Sequence, residues 1–277
     1  MDSTSMACVT TAEQQQLPRL FASTTSTLHG RVAIVTGGTG GIGNAICIHL
    51  ASLGANVVIG HVADQKTAAD HLISKIRSFS YPNAIAVEAD ISDPAQVKEL
   101  FDEAESAFGG KIHILVTAAA VSDSFYRLLA DTPVEVFDHI FNVNCKGTFL
   151  CSREAANRLV RGGGGRIITF SSSTVGSLRS GYSAYTASKG AVETMTKILA
   201  RELKGSMITA NSIAPGPTLT PMFCSGKTEE AIKARVGESP MLRLGVVEDI
   251  VPIVGFLASD AGEWVNAQVI RVNGGYI

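Results

Sequence analysis

The sequence has no long hydrophobic run and few charged residues. None of its apolar runs reaches the ~18 residues that a membrane-spanning helix needs. The 23 Lys and Arg residues are scattered, and the net charge is -2, so no basic stripe is available for a nucleic-acid backbone. We therefore expect neither a membrane nor a nucleic acid as a partner.

The cysteines follow no regular spacing. They are odd in number and form no CxxC or Cys/His pair, a pattern that favours neither a disulfide framework nor a zinc site. Their positions are Cys8, Cys47, Cys145, Cys151 and Cys224. We expect reduced thiols and no metal.

What the chain does have is enough apolar sequence for one globular domain: 277 residues, 45% hydrophobic, with 27 glycines. The first 29 residues are rich in Ser and Thr but contain Arg19 as their single basic residue, beside Asp2 and Glu13. A transit peptide is basic and poor in acids, so this signature is only half met. We predict a disordered extension over 1–29 and a folded domain over 30–277. We expect a cytoplasmic protein, with a plastid location as the alternative.

Short β-branched runs alternate with helical periodicity along the folded part. "RVAIVT" precedes a helix, and the same order recurs in "NVVIGH", "AIAVEAD", "IHILVT", "GRIITFS", "MITANSIA" and "AQVIRVNGG". Helices are predicted near 64–78, 94–108, 133–160, 183–204 and 247–258. Apolar strands separated by helices indicate an α/β fold: a single-domain, doubly wound Rossmann fold with a seven-stranded parallel sheet. Ligands bind such sheets beyond the carboxyl ends of the strands.

A glycine-rich loop, "TGGTGGIG", follows the first strand. Gly37 permits a tight turn, Gly41 permits close approach of a diphosphate, and Gly43 lets the helix pack near the sheet. The helix that follows presents free N–H groups and a partial positive charge. This position predicts a site for a phosphate-bearing cofactor.

The end of the second strand lacks the carboxylate that binds a free ribose 2′-hydroxyl. "VVIGHVAD" has Gly60 and His61 there, with Lys66 as the other nearby cation. Without the acid there is no repulsion against a 2′-phosphate, so NADPH is favoured over NADH. Asp90, after the third strand, binds the adenine amino group or caps its own loop, and the sequence does not choose between these roles.

Two tyrosines are at helical spacing from one lysine in "GYSAYTASKG". Tyr185 is one turn and Tyr182 two turns from Lys189, so either phenol can share a face with the ammonium. A phenol becomes an acid–base catalyst near pH 7 when a cation stabilises its phenolate. Spacing alone leaves both tyrosines open.

In combination these motifs resemble the short-chain dehydrogenase/reductase family over residues 30–277. The family's glycine, YxxxK, serine, asparagine and PGxxxT motifs match Thr36, Gly37, Gly41, Gly43, Tyr185, Lys189, Ser172, Asn144, Pro215, Gly216 and Thr220. The resemblance selects Tyr185 over Tyr182, and Ser172 between its neighbours Ser171 and Ser173.

The resemblance implies catalytic roles. Tyr185 would donate a proton to a carbonyl oxygen, and Ser172 would hold the same oxygen. Lys189 would lower the pKa of Tyr185 and bind the nicotinamide ribose, while Asn144 would hold a water of a proton relay. The implied NADPH-binding residues are Thr36, Gly37, Thr39, Gly41, Ile42, Gly43, His61, Asp90, Ala118, Ala119, Tyr185, Lys189, Pro215, Gly216, Thr218 and Thr220.

The segment after the fourth strand departs from the family pattern. Where NNAG is usual, residues 117–120 read "TAAA". Thr117 keeps a hydrogen-bonding side chain, whereas a positive φ at Ala120 would be strained. We interpret the change as drift that preserves catalysis.

The loops predicted to hold substrate, about 121–130, 174–184 and 217–243, contain apolar residues and few charges. Tyr126, Tyr182, Met222 and Phe223 are the candidates for substrate contacts. They favour a small lipophilic aldehyde, ketone or alcohol over a phosphorylated or carrier-bound substrate. The tail "GEWVNAQVIRVNGGYI" resembles plant NADPH-dependent aldehyde-reductase-like members, a subgroup that serves detoxification or specialised metabolism.

Three functions remain open. The leading one is an NADPH-dependent carbonyl reductase or alcohol dehydrogenase. The others are an enzyme that uses its cofactor for an isomerisation and a cofactor-binding protein without catalysis. The family resemblance also suggests a homodimer or homotetramer packed through the helices near 133–160 and 183–204.

Overall fold

A seven-stranded parallel sheet forms the centre of the molecule. The computed structural model describes residues 27–79 and 83–277. Its strands are β1 (Val32–Thr36), β2 (Asn56–His61), β3 (Ala84–Glu88), β4 (Ile114–Thr117), β5 (Arg166–Phe170), β6 (Thr209–Pro215) and β7 (Val269–Val272). The spatial order is β3-β2-β1-β4-β5-β6-β7, and all neighbours are parallel. The predicted α/β fold is confirmed.

Helices cover both faces of this sheet. They are α1 (Gly41–Ser52), α2 (Lys66–Arg77), α3 (Pro94–Ala107), α4 (Val134–Phe141), α5 (Thr148–Arg158), α6 (Thr174–Ser177), α7 (Ser183–Glu202), α8 (Pro221–Cys224), α9 (Glu229–Glu238) and α10 (Val251–Ala258). One apolar cluster packs α1, α2 and α10 against one face, and a second packs α3, α5 and α7 against the other. The five residues of β1 are all buried, as expected for a strand covered on both sides.

The winding direction reverses between β1 and β4. The chain runs outward from β1 to β3, crosses back to β4 beside β1, and continues to β7. Thr36, the last residue of β1, aligns with Gly60 of β2 and Thr117 of β4. The three carboxyl ends therefore open together, at the point where a ligand cleft is expected.

The helical stretch predicted over 133–160 is interrupted. Between α4 and α5, residues Asn142–Gly147 form a π-helical segment. Single π turns inside helices occur frequently at functional sites. Gly147 has no Cβ, and one there would lie 2.6 Å from Cδ1 of Ile91, so the segment packs tightly against the loop after β3.

The sequence predicted a disordered extension over 1–29. Residues 1–26 lie outside the described residues, so the boundary at residue 30 stays a prediction. Leu28, near that boundary, is fully buried. Its N–H donates to the carbonyl of Leu53 at 2.9 Å. None of the helices in the described part of the chain is long and apolar enough to cross a membrane.

Candidate active site

A cleft of about 720 Å³ opens beyond the carboxyl ends of the strands. Nearly every residue predicted for the site lines it. The predicted residues on its walls are Gly37, Thr39, Gly41, Ile42, Gly43, His61, Asp90, Ala118, Ala119, Tyr126, Ser172, Tyr182, Tyr185, Lys189, Pro215, Gly216, Thr218, Thr220, Met222 and Phe223. Thr36 and Asn144 are fully buried behind these walls.

The glycine loop is shaped by contacts that a side chain would prevent. Gly37 has a φ of +63°, and a Cβ there would lie 2.6 Å from Cα of Ala119. A Cβ on Gly43 would lie 2.1 Å from the carbonyl oxygen of Gly37. The loop therefore folds back on itself and on the strand end next to it, leaving its backbone exposed to the cleft.

The PGxxxT segment approaches the same loop from the other side. A Cβ on Gly41 would lie 3.1 Å from Cγ2 of Thr220. Thr220 caps α8, because its Oγ1 accepts the N–H of Phe223 at 3.2 Å. The two motifs, separate in the chain, thus form one wall.

Beyond β2, the cleft is lined by His61, Val62 and Gln65. His61 is 4% exposed, and its Nδ1 lies 2.9 Å from the carbonyl oxygen of Val62. Gln65, which the sequence analysis did not select, lies here and forms a hydrogen bond with the hydroxyl of Thr39. Among the described residues that line this end, none directly after β2 is a carboxylate.

Asp90 lines the cleft but also organises its own loop. Its Oδ1 accepts the N–H and the hydroxyl of Ser92, both at 2.8 Å. The loop-capping role left open by the sequence is therefore present, while a contact with adenine remains a prediction.

Tyr185, Ser172 and Lys189 meet at the centre of the cleft. The hydroxyl of Tyr185 forms a side-chain hydrogen bond with Ser172. The Lys189 ammonium lies 5.8 Å from the centre of the Tyr185 ring and donates to the carbonyl oxygen of Phe170 at 2.8 Å. Tyr182, at the start of α7, lies farther along the wall, so the structure pairs Tyr185 rather than Tyr182 with the serine.

Burial sets the protonation of this group. The pKa of Tyr185 is raised, because burial penalises the phenolate more than the Ser172 hydrogen bond stabilises it. The lowering of this pKa by Lys189, which the family resemblance implies, stays a prediction. Lys189 is 2% exposed, and burial lowers its own pKa to about 8. Its ammonium is held by a neutral carbonyl rather than by a carboxylate.

Asn144 connects the π-helical segment to two neighbouring elements. Its Oδ1 accepts the N–H of Val121 at 2.8 Å, and its Nδ2 donates to the carbonyl of Val121 at 2.9 Å. Nδ2 also donates to the hydroxyl of Ser188 at 3.1 Å. The residue is therefore placed directly behind Lys189, with its amide bonded to protein groups.

The "TAAA" segment is accommodated without backbone strain. Ala120 has no positive φ, so the backbone strain considered for this position is absent. Thr117, however, is fully buried, and its Oγ1 has no hydrogen-bond partner within the described structure. The hydrogen-bonding side chain that the sequence retains at this position is thus unpaired in the described structure. In addition to the ladder that pairs β1 with β4, the N–H of Ala119 donates to Oγ1 of Thr36 at 3.4 Å.

Three loops interlock over the substrate end of the cleft. Tyr126 has a φ of +53°, and its hydroxyl donates to the carbonyl of Ser225 at 2.7 Å. A Cβ on Gly226 would lie 1.9 Å from the carbonyl oxygen of Ser124, so this close crossing requires glycine. The rings of Tyr126 and Tyr182 lie 5.1 Å apart. This wall of the cleft is thus aromatic, and its contact with a substrate stays a prediction.

The same wall contains three cations that the sequence analysis missed. Arg179, Lys227 and Arg235 all line the cleft. They lie in two of the loops predicted to hold substrate, but a basic residue in a loop gives no sign of whether it faces solvent or a cleft. The expectation of few charges was therefore wrong for this end.

Four of the five cysteines lie in the described residues. Cys47, Cys145, Cys151 and Cys224 are free, and Cys8 lies outside the described residues. Over residues 27–79 and 83–277, no cluster of His, Cys, Asp and Glu forms a candidate metal site.

Comparisons with known proteins agree with this geometry. A family model described as enoyl-(acyl carrier protein) reductase matches residues 37–277. The chain is 56% identical to an NADPH-dependent aldehyde reductase-like protein, chloroplastic, of Arabidopsis thaliana, covering 90% of this chain and 95% of that protein. It is also 56% identical to a short-chain type dehydrogenase/reductase of Picea abies, over 90% of this chain and 93% of the other.

Solved structures share the fold. A short-chain dehydrogenase of Burkholderia cenocepacia in complex with NADP superimposes with a TM-score of 0.82 at 33% identity, covering 90% of this chain and 99% of that one. A blue fluorescent protein from a metagenomic library, in complex with NADPH, has a TM-score of 0.83 at 33% identity and the same coverage. The chain belongs to the short-chain dehydrogenase/reductase family.

Proposed function

We propose that this NADP(H)-dependent oxidoreductase reduces a lipophilic aldehyde or ketone to its alcohol, with Tyr185 as the proton donor. The carrying observation is the hydrogen bond between Tyr185 and Ser172, inside the cleft that also contains the glycine loop. One end of the cleft suits a cofactor, and its centre presents two hydroxyls to a substrate.

The cofactor end has the shape and charge that NADPH needs. The contacts around Gly37 and Gly43 leave a bare backbone loop at the start of α1, where N–H groups attract phosphate. Thr39, Gln65 and His61 surround the position next to β2 without repelling a 2′-phosphate. When bound, NADPH supplies the hydride.

Two hydroxyls are available to hold the substrate oxygen. Ser172 and Tyr185 both line the cleft and bond to each other, so a carbonyl oxygen placed between them would accept from both. The O–H bond of Tyr185 breaks as the reduced carbonyl oxygen takes the proton. Lys189, as a buried cation near the ring, would stabilise the phenolate that forms.

Asn144 is proposed as a positioning residue for this group. Its bonds to Val121 and Ser188 fix the π-helical segment behind α7. Its role in holding a relay water stays a prediction.

The raised pKa of Tyr185 keeps its phenol protonated at neutral pH. Reduction needs the protonated phenol, which burial preserves, whereas oxidation of an alcohol needs the phenolate.

The test is a panel of lipophilic aldehydes and ketones with NADPH and NADH, with oxidation of the cofactor and the alcohol product both quantified. We expect alcohol formation equal to NADPH consumed. An isomerase would change the substrate without net NADPH oxidation, and a non-catalytic protein would do neither, so either result would contradict the proposal.

Location and assembly are further parts of the proposal. Two relatives at 53% and 56% identity carry the word chloroplastic in their names, which supports a plastid location over the cytoplasm. Imaging the full chain fused to a fluorescent protein in leaf cells tests this.

Exposed apolar side chains on α5 and α7, Phe149 and Ile198, support a homo-oligomer through these helices, which light scattering tests.

A further inference from the structure

The substrate end of the cleft has an excess of positive charge. Lys227, Arg179 and Arg235 line it. Glu238 is shared by two of them: it lies 2.7 Å from Nη2 of Arg179 and 2.7 Å from Nη1 of Arg235. One carboxylate thus serves two guanidinium groups, and Lys227 adds a third cation.

Lys227 is bonded only to neutral oxygens. Its ammonium lies 2.5 Å from the hydroxyl of Tyr126 and also donates to the carbonyl of Phe223. Within residues 27–79 and 83–277, no carboxylate lies within ion-pair distance of it. An ammonium has three donors, so one remains available. Asp123, the acid in the adjacent loop, is paired with Arg127 at 2.8 Å.

The guanidinium of Arg179 is also incompletely satisfied. Its Nη1 is buried and has no hydrogen-bond partner in the described structure. A buried donor without an acceptor is costly, particularly when it is charged. The wall therefore has unused donor capacity on two separate cations.

The surroundings limit what kind of anion fits. The Lys227 ammonium lies 4.4 Å from the ring centres of both Tyr126 and Phe223, so its surroundings are aromatic. One free donor on Lys227, beside partly neutralised arginines, matches a group with a single charge better than a phosphate with two charges and three oxygens. The Tyr126 ring, which Lys227 contacts, lies 5.1 Å from the ring of Tyr182, and Tyr182 lines the same cleft as Tyr185.

We infer that the substrate is a carbonyl compound that carries a carboxylate at the end remote from its carbonyl, and that Lys227 is the specificity-determining residue. The carbonyl lies at Tyr185 and Ser172, an apolar or aromatic body lies against Tyr126 and Tyr182, and the carboxylate lies at Lys227. This inference rests on the proposed reductase function and names its substrate class.

The experiment compares two aldehydes of nearly equal size. One is para-carboxybenzaldehyde and the other is its methyl ester, which differ in charge but not in the reacting carbonyl. We expect kcat/KM of the wild-type protein with NADPH to favour the acid about tenfold, as a hydrogen bond to a charged group implies. Added salt should reduce that preference. Equal rates, or a preference for the ester, would overturn the inference while leaving the reductase function intact.

Lys227→Met keeps the apolar stem over the rings and removes the charge. We expect it to lower kcat/KM for the acid about tenfold more than for the ester, with NADPH affinity, measured by fluorescence titration, retained. Lys233→Met, on α9 but outside the cleft lining, is the matched control and should change neither substrate. An equal loss for acid and ester in Lys227→Met would assign the lysine a structural role and refute the inference.

A binding measurement keeps the inference testable if turnover is absent. The two corresponding alcohols, the carboxylate and its methyl ester, are titrated into NADP⁺-loaded protein by calorimetry. Tighter binding of the carboxylate, lost in Lys227→Met, supports the inference even if the proposed function fails. Equal binding refutes it.

Discussion

Asn144 and Val121 exchange two hydrogen bonds, at 2.8 and 2.9 Å, and so join the π-helical segment to the loop after β4. Each bond satisfies a polar group of Val121 through one buried amide. The amide is thus the connection between the back of the catalytic helix α7 and the strand end beside the cofactor loop.

Asn144→Ala should lower the free energy of unfolding by about 3 kcal/mol, because it leaves both backbone groups of Val121 without their partner. Urea denaturation of the apoprotein measures the change. Asn157→Ala is the matched control: its side chain makes one exposed bond, to the carbonyl of Arg153. Equal stability of Asn144→Ala and wild type would contradict the positioning role.

Tyr185→Phe should abolish turnover while NADPH binding is retained. The variant removes the proton donor, and general acid catalysis contributes about 10²- to 10⁴-fold. Tyr182→Phe is the control, since Tyr182 is assigned to the substrate wall; it should alter KM while activity persists. If both variants lost turnover to a similar extent in steady-state assays with the same aldehyde, the assignment of Tyr185 as the proton donor would be contradicted.

The buried Lys189 predicts a pH-dependent stability. Below pH about 8 its ammonium is charged in both the folded and the unfolded state. The free energy of unfolding is then lowered by the full cost of burying that charge. Above that value the unfolded chain, with its ordinary pKa of 10.5, binds more protons than the folded one, so stability rises with pH.

Relative to Lys189→Met, the wild type should therefore gain about 2 kcal/mol between pH ~7 and ~9.5, measured by urea unfolding. Lys197→Met, an exposed lysine on the same helix, should show no such trend. A wild type that becomes less stable than Lys189→Met as the pH rises would show that the buried ammonium is not the cause.

Gly37→Ala should destabilise the protein by at least about 2 kcal/mol, since it combines a positive φ with a Cβ too close to Ala119. NADPH affinity should fall with it. Gly190→Ala is the opposite case: a helical glycine with open space around it, expected to stabilise by about 0.5–1 kcal/mol. Thermal unfolding with and without NADPH measures both variants. Unchanged stability and NADPH affinity in Gly37→Ala would contradict the role given to the glycine loop.

Ala120→Gly should give no gain in stability or cofactor affinity, because Ala120 has no positive φ to relieve. A loss of about 0.5–1 kcal/mol is expected from the added backbone freedom. Chemical denaturation and NADPH titration provide the two readouts. A large improvement in both would show that the "TAAA" segment impairs the protein.

The apolar runs and helical periodicity of the sequence predicted the sheet and its strands. The glycine turn, the helical pair and the family resemblance predicted many of the residues that line the cleft, but not Gln65 or the three cations. It did not predict the break at Asn142–Gly147, because a π turn and an α turn use the same residue types. Nor did it predict that burial would raise the pKa of Tyr185, since that depends on how many atoms surround the phenol.

The cations of the substrate wall show the same limit. Arg179, Lys227 and Arg235 are brought together by loops whose crossing depends on Gly226 and Tyr126, and no periodicity marks a loop residue as inward-facing. The sequence shows that these residues are charged, but it does not show that their side chains face the cleft.

The π-helical segment also has a consequence for the two helices it joins. One residue more per turn displaces everything that follows by about 100° around the helix axis. That rotation allows α4 to face α7 while α5 faces α3 within one continuous helical stretch. Removing a single residue from 142–147 would restore regular winding and turn α5 away from its partner, so this region should tolerate substitution far better than deletion.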